Sequence, residues 1–327
     1  MAGIELYAPR TVRHRRTWTW AVIALGLIFA ILGPILAMFP YIVKMIMAGI
    51  AAGASGGPAP APDPALLDPP VTVLIVSYIL NVAFIFVWVK WFERRDLDAI
   101  GFNARGLLRF GRGYLCGCAF LVAVVGGIWL CGGYQIQSAG FWSAPTLAAV
   151  LPILLYMVMF IIQGASEEIW MRGWLMGLVS SRHGIIWGVV INSVVFGLLH
   201  AGNIKPSPEM FAGVVNVALF GVFISLYALN ERSLWGVCGW HAAWNWLLGI
   251  GFGLEVSGMK LKVAPLVVDL MDKPGAPWWL SGGSWGPEAS IFTTVILSGG
   301  IAWLVWKGAL KPVNGYPVPL KGAEEAF

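Results

Sequence analysis

Three short clusters hold the side chains that could do chemistry in this sequence. They are Glu167, Glu168 and Arg172 in Gly-Ala-Ser-Glu-Glu-Ile-Trp-Met-Arg, Phe196 and His200 at the end of Asn-Ser-Val-Val-Phe-Gly-Leu-Leu-His, and His241 and Asn245 in Gly-Trp-His-Ala-Ala-Trp-Asn-Trp. All three sit in apolar runs. A charged side chain at bilayer depth costs about 2.5–3.5 kcal/mol on insertion scales, so such groups pair, face a water-filled cavity or mark a functional site. Successive helical residues point about 100° apart, so Glu167 and Glu168 look in different directions. Glu168 stands four residues before Arg172 and is placed for an ion pair along one helix, a supporting role. Glu167 is then free to look into a cavity, where it can act as a general base. The plain alternative is a helix end with solvated charges.

Glutamate, two histidines and an asparagine at one depth can activate water and stabilise an oxyanion. Glu167 with His200 would hold and deprotonate the water, while His241 and the Asn245 amide would donate to the developing charge on a peptide carbonyl. No cofactor is needed for that chemistry. The alternative is zinc, with Glu167, His200 and His241 as ligands, since imidazole and carboxylate suit that ion. The commonest zinc-protease pattern, His-Glu-x-x-His, does not occur. A serine route is weaker, since nothing beside Ser166 marks it as a nucleophile, and Cys238, three residues before His241, is a thiol in an apolar span and a poor nucleophile.

The scaffold that must position these groups is membranous. Of 327 residues, 58% are hydrophobic and only 11% charged, and mean hydropathy is +0.78. A soluble domain carries roughly 25% charged residues. An ordinary cytosolic enzyme and a disordered chain are both excluded. Apolar runs at about 18–38, 71–91, 113–133, from 147 past 164, 185–200, 211–229, 235–254 and 291–306 predict an all-α polytopic bundle of about eight spanning helices, each near the length that crosses a hydrocarbon core of about 30 Å. We expect one membrane domain over 1–327, with a motif-bearing core at about 147–250, a flexible Gly/Ala/Pro-rich outer loop at 53–70 and a cytoplasmic tail at 308–327.

Lys and Arg fix the expected orientation. With loops assigned alternately, only Lys44, Lys205, Lys260, Lys262 and Lys273 of the 21 basic residues fall on one side; the rest, from Arg10 to Lys321, fall on the other. That bias predicts cytoplasmic termini in a cell inner membrane, or in the endoplasmic reticulum of a eukaryote. The net charge of +5 thus reads as a topology signal, and no nucleic-acid partner is expected. The four cysteines lie in apolar stretches and read as small hydrophobes.

The ordered motifs Glu-Glu-x-x-x-Arg (Glu167, Glu168, Arg172), Phe-x-x-x-His (Phe196, His200) and His-x-x-x-Asn (His241, Asn245) resemble those of the CPBP family of intramembrane proteases, which includes type II CAAX prenyl endopeptidases and bacteriocin-processing or immunity-associated relatives. The segments Arg94-Arg95-Asp96-Leu97 to Gly101-Phe102 and Trp279 to Ser290 are similar to stretches of bacterial members. The resemblance implies a water activated by Glu167 and His200 and an oxyanion site of His241 and Asn245, supported by Glu168, Arg172 and Phe196. It implies an intramembrane endopeptidase cutting near the cytoplasmic membrane face. Its partners would be the bilayer and a membrane-anchored or membrane-inserted polypeptide, with or without a lipid group. The competing readings are a zinc protease on the same residues and a non-catalytic immunity or scaffold protein.

Overall fold

The computed structural model describes residues 5–311 except 59, 62 and 104; of the expected tail at 308–327, residues 312–327, with Lys321, lie outside the described residues. The chain is an all-α polytopic membrane bundle. Its apolar helices are α1 (Thr19–Ser55), α2 (Val71–Phe92), α3 (Gly106–Leu130), α4 (Leu147–His183), α5 (Ile185–Leu199), α6 (Pro208–Glu231), α7 (Trp235–Trp246) and α8 (Ile291–Trp306). Every expected span is a helix, but only α1, α2, α3, α4 and α6 are long and apolar enough to cross a bilayer on those grounds alone. The starts of several helices are set locally. Thr146, Ser207 and Ser290 each accept a backbone N–H of the first turn of α4, α6 and α8, and Pro208 stands just inside α6, where its missing N–H costs nothing.

Two expectations need correction. α1 does not stop near Met38 but runs to Ser55 through Pro34 and Pro40. Membrane helices tolerate an internal proline because neighbouring groups re-satisfy the freed carbonyl, and the apolar run from Tyr41 to Ala52 offers the chain nothing better than helix. The expected loop at 53–70 accordingly begins inside α1 and holds a one-turn helix, Pro64–Leu67, capped by Asp63 through Ala65 N–H. The structure also adds a small antiparallel ribbon, β1 (Tyr134–Ser138) with β2 (Asp269–Asp272), which ties the end of α3 to the segment after α7.

α7 lies at the centre of the bundle, and Trp240, Trp244, Ala242 and Ala243 are buried. Its seating depends on glycine. A Cβ on Gly113 of α3 would stand 1.9 Å from the Gly236 carbonyl oxygen, and one on Gly117 would stand 2.5 Å from that of Trp240. The pair is a small-x-x-x-small stripe that lets two backbones touch, the usual way apolar helices pack where no hydrophobic drive separates them from lipid. Gly113→Ala is therefore expected to destabilise the bundle by about 1–3 kcal/mol, the range for overpacking. Gly111, whose Cβ would meet nothing within 4 Å, is the control. Gly111→Ala should leave unfolding in detergent unchanged or slightly delayed.

Candidate active site

Glu167 and Glu168 sit at the middle of α4, immediately before a stretch of π-helix at Ile169–Leu175. Such wide turns recur at functional sites. Gly164, one turn earlier, brings α4 against α7: a Cβ there would lie 3.2 Å from Ala242 N and 3.3 Å from His241 Cβ. The absence of that carbon lets both glutamates reach one imidazole. His241 Nδ1 lies 2.8 Å from Glu168 Oε1, and its Nε2 lies 3.7 Å from Glu167 Oε2. A carboxylate only accepts, so the Nδ1 hydrogen is donated to Glu168, leaving Nε2 to face Glu167 and the cavity.

The two acids differ in their surroundings. Glu168 pairs with Arg172 at 3.1 Å, and both side chains are wholly buried. The guanidinium stacks over the Phe196 ring at 4.4 Å and lies near Phe220 at 5.8 Å. Arg172 Nε and Nη2 have no hydrogen-bond partner, so the ring faces supply contact that other acceptors do not. This accounts for the phenylalanine of the second motif. Glu167, by contrast, keeps its side chain 23% exposed.

A cavity of about 450 Å³ is lined by Glu167, His200, His241 and Asn245, which brings the four expected catalytic residues to one chamber. His200 shares it without joining the glutamates directly. Its Nδ1 lies 2.8 Å from the Phe196 carbonyl oxygen, an acceptor, so in the neutral ring Nε2 carries the free lone pair. Asn245 Nδ2 donates to Gln163 Oε1 at 3.0 Å, and Gln163 Nε2 donates to Glu167 Oε1 at 2.5 Å. Gln163 thus couples Asn245 to Glu167. Sequence reasoning missed it, although a glutamine four residues before Glu167 in an apolar run was itself a signal. Asn245 retains one amide hydrogen for the chamber.

The far wall was also missed. Glu288, 8% exposed, accepts from Trp244 Nε1 at 3.1 Å and from Ser257 through its N–H (2.5 Å) and hydroxyl (2.8 Å), fastening the 252–290 segment to α7. Gly286 makes the turn before it. Its φ is +91°, and a Cβ there would stand 2.3 Å from the Glu255 carbonyl oxygen. The signal was the polar and glycine-rich Ser-Gly-Gly-Ser-Trp-Gly-Pro-Glu-Ala-Ser run between apolar segments.

Among the described residues no group of three or more His, Cys, Asp or Glu side chains is arranged to hold a metal ion. The lining of the chamber comes from mid-bundle and from the connections at Asn203 and at Val256, Ser257, Met259 and Leu261.

Residues 149–247 match the family model described as Type II CAAX prenyl endopeptidase Rce1-like. The match runs from the start of α4 into the π turn after α7 and encloses all three motifs, so the resemblance read from them holds over that stretch. No curated protein and no solved structure matches the chain.

Proposed function

We propose that this chain is a membrane-embedded endopeptidase of the CAAX-protease type, with Glu167 as the general base. One observation carries the reading: a single imidazole, His241, held between two carboxylates at the wall of a chamber that Glu167, His200 and Asn245 also line. The reaction class given by the matched family's description supports it. The Glu167 carboxylate takes a proton from a water that His200 Nε2 helps orient. The water oxygen bonds to the peptide carbonyl carbon, and the charge that develops on the carbonyl oxygen is met by the remaining Asn245 amide hydrogen and by Nε2–H of His241 in its imidazolium form, whose Nδ1–H stays on Glu168. As the C–N bond breaks, the proton held by Glu167 passes to the amide nitrogen, which restores the carboxylate. Glu168 holds the His241 ring in orientation, as the third member of a catalytic triad does.

The substrate is a membrane-anchored or membrane-inserted polypeptide, because Leu27, Leu74, Tyr156 and Phe160 surround the polar wall with apolar surface. The test compares the peptide termini of membrane proteins by mass spectrometry in cells carrying the wild-type chain or Glu167→Gln at equal expression. Termini present only with wild type support the reading and name the substrate. Identical profiles alongside a fully rescued deletion phenotype refute it in favour of a scaffold or immunity role. The chemistry proposed needs no metal, so a chelator should leave the wild-type termini in place.

The oxyanion assignment has its own check on the substrate so identified. Asn245→Ala should lower kcat by about 10²–10³-fold, the usual loss for one oxyanion donor, with little change in KM. A raised KM at unchanged kcat would make Asn245 a binding residue instead.

A further inference from the structure

The two ends of the bundle differ in a way that bears on where a substrate enters. At the arginine-rich end the bundle is closed. The segment before α1 folds across it: Leu6 is buried, the Tyr7 hydroxyl donates to the Arg172 carbonyl at 3.0 Å, and Arg95 donates to the Ala8 carbonyl at 3.1 Å. Beneath lies Glu93, 1% exposed, which accepts from the Thr17 hydroxyl at 2.6 Å and from Trp174 Nε1 at 2.9 Å and so stitches the start of α1, the end of α2 and the π stretch of α4 together. Leu234 N–H donates to the Gly101 carbonyl at 3.0 Å, closing the remaining gap beside α7. No residue of 5–18, 93–112 or 231–235 lines the chamber.

At the opposite end the chamber is lined by the connection after α5, at Asn203, and by the segment after α7, at Val256, Ser257, Met259 and Leu261. Met259 at its rim is 56% exposed and Leu199 is 38% exposed, while Asn203 ties the two connections together by donating to the Ser257 carbonyl at 2.9 Å. This end carries only Lys205, Lys260, Lys262 and Lys273 from the connections and Lys44 from α1, whereas the sealed end carries the arginines. Positively charged connections stay on the cytoplasmic side.

From the sealed arginine-rich end and the open lysine-poor end together, we infer that the chamber opens away from the cytoplasm. Its substrate is the extracytoplasmic juxtamembrane stretch of a membrane-anchored protein, an apolar extended segment entering past Leu199 and Met259, and not a cytoplasmic tail. The direction of opening stands on its own; the substrate class rests on the endopeptidase reading.

Native Cys131, exposed at the end of α3 on the lysine-poor side, allows a test with the whole chain. The probe is a membrane-impermeant maleimide, applied to spheroplasts of a bacterial host and to inverted vesicles. Cys131 should react at least tenfold faster in spheroplasts. In a Cys131→Ser background, Lys205→Cys should behave the same way and Arg13→Cys the opposite way; both positions are exposed. The reverse pattern at these positions would overturn the inference. Wild-type-only termini should map to extracytoplasmic flanks of their substrates, and cytoplasmic ones would overturn the substrate class. No such termini, with the labelling as expected, would sink the endopeptidase reading and leave the direction of opening intact.

Discussion

Glu167→Gln should abolish turnover while leaving the bundle folded, with a fall of about 10²–10⁴-fold in kcat on the substrate that the terminus comparison identifies. The fold should survive because Gln is isosteric, and because the Glu167 side chain stands partly exposed at the chamber instead of serving a buried pair. Its neighbours tolerate the change. Gln163 Nε2 can still donate to the amide oxygen, and His241 stays fixed through Glu168. Unfolding in detergent should therefore shift by less than about 0.5 kcal/mol, as for a substitution away from buried networks. Loss of activity with unchanged unfolding marks a chemical role. Loss of both would return Glu167 to the structural network, and retention of activity would remove it from the mechanism.

Glu168→Ala should behave in the opposite manner. It leaves Arg172 wholly buried without its ion-pair partner, and removing one member of such a pair costs about 3–5 kcal/mol. Replacing both members by apolar residues of similar volume, as in Glu168→Leu with Arg172→Met, should recover most of that stability, because no unpaired charge remains and Phe196 and Phe220 already offer an apolar surround. Activity should not recover. Without Glu168, nothing holds the Nδ1 hydrogen of His241, and the ring loses both its orientation and its tautomer preference, with an expected loss of about 10²-fold or more. Unfolding by urea in detergent micelles and kcat on the same preparations separate the two effects. A double variant that regains both would show that the buried pair serves stability alone.

Much of this was legible in one dimension. The apolar runs follow from backbone satisfaction in lipid, which forces every span to be a helix and makes its limits visible in hydropathy, and the excess of Arg at alternate connections follows the positive-inside bias. The separation of Glu167 from Glu168, and the pairing of Glu168 with Arg172, follow from helix geometry within one element, and both hold in the fold. Contacts between elements were not legible. That Glu168 reaches across to His241, that Gln163 bridges Glu167 and Asn245, and that Glu288 fastens the outer segment to Trp244 depend on how close α4, α7 and the late segment approach.

Those distances are set by absent atoms, at Gly113, Gly117 and Gly164, whose significance appears only once another backbone lies against them. The continuation of α1 through two prolines was hidden for a related reason, since the penalty of a proline depends on what surrounds the helix and not on the helix alone. The sequence by itself thus determined which side chains had to be buried in a bilayer and which of them shared a helix face, because local periodicity governs both. Tertiary structure alone decided which side chains meet across helices and which connections line the chamber between them, because both depend on interhelical approach.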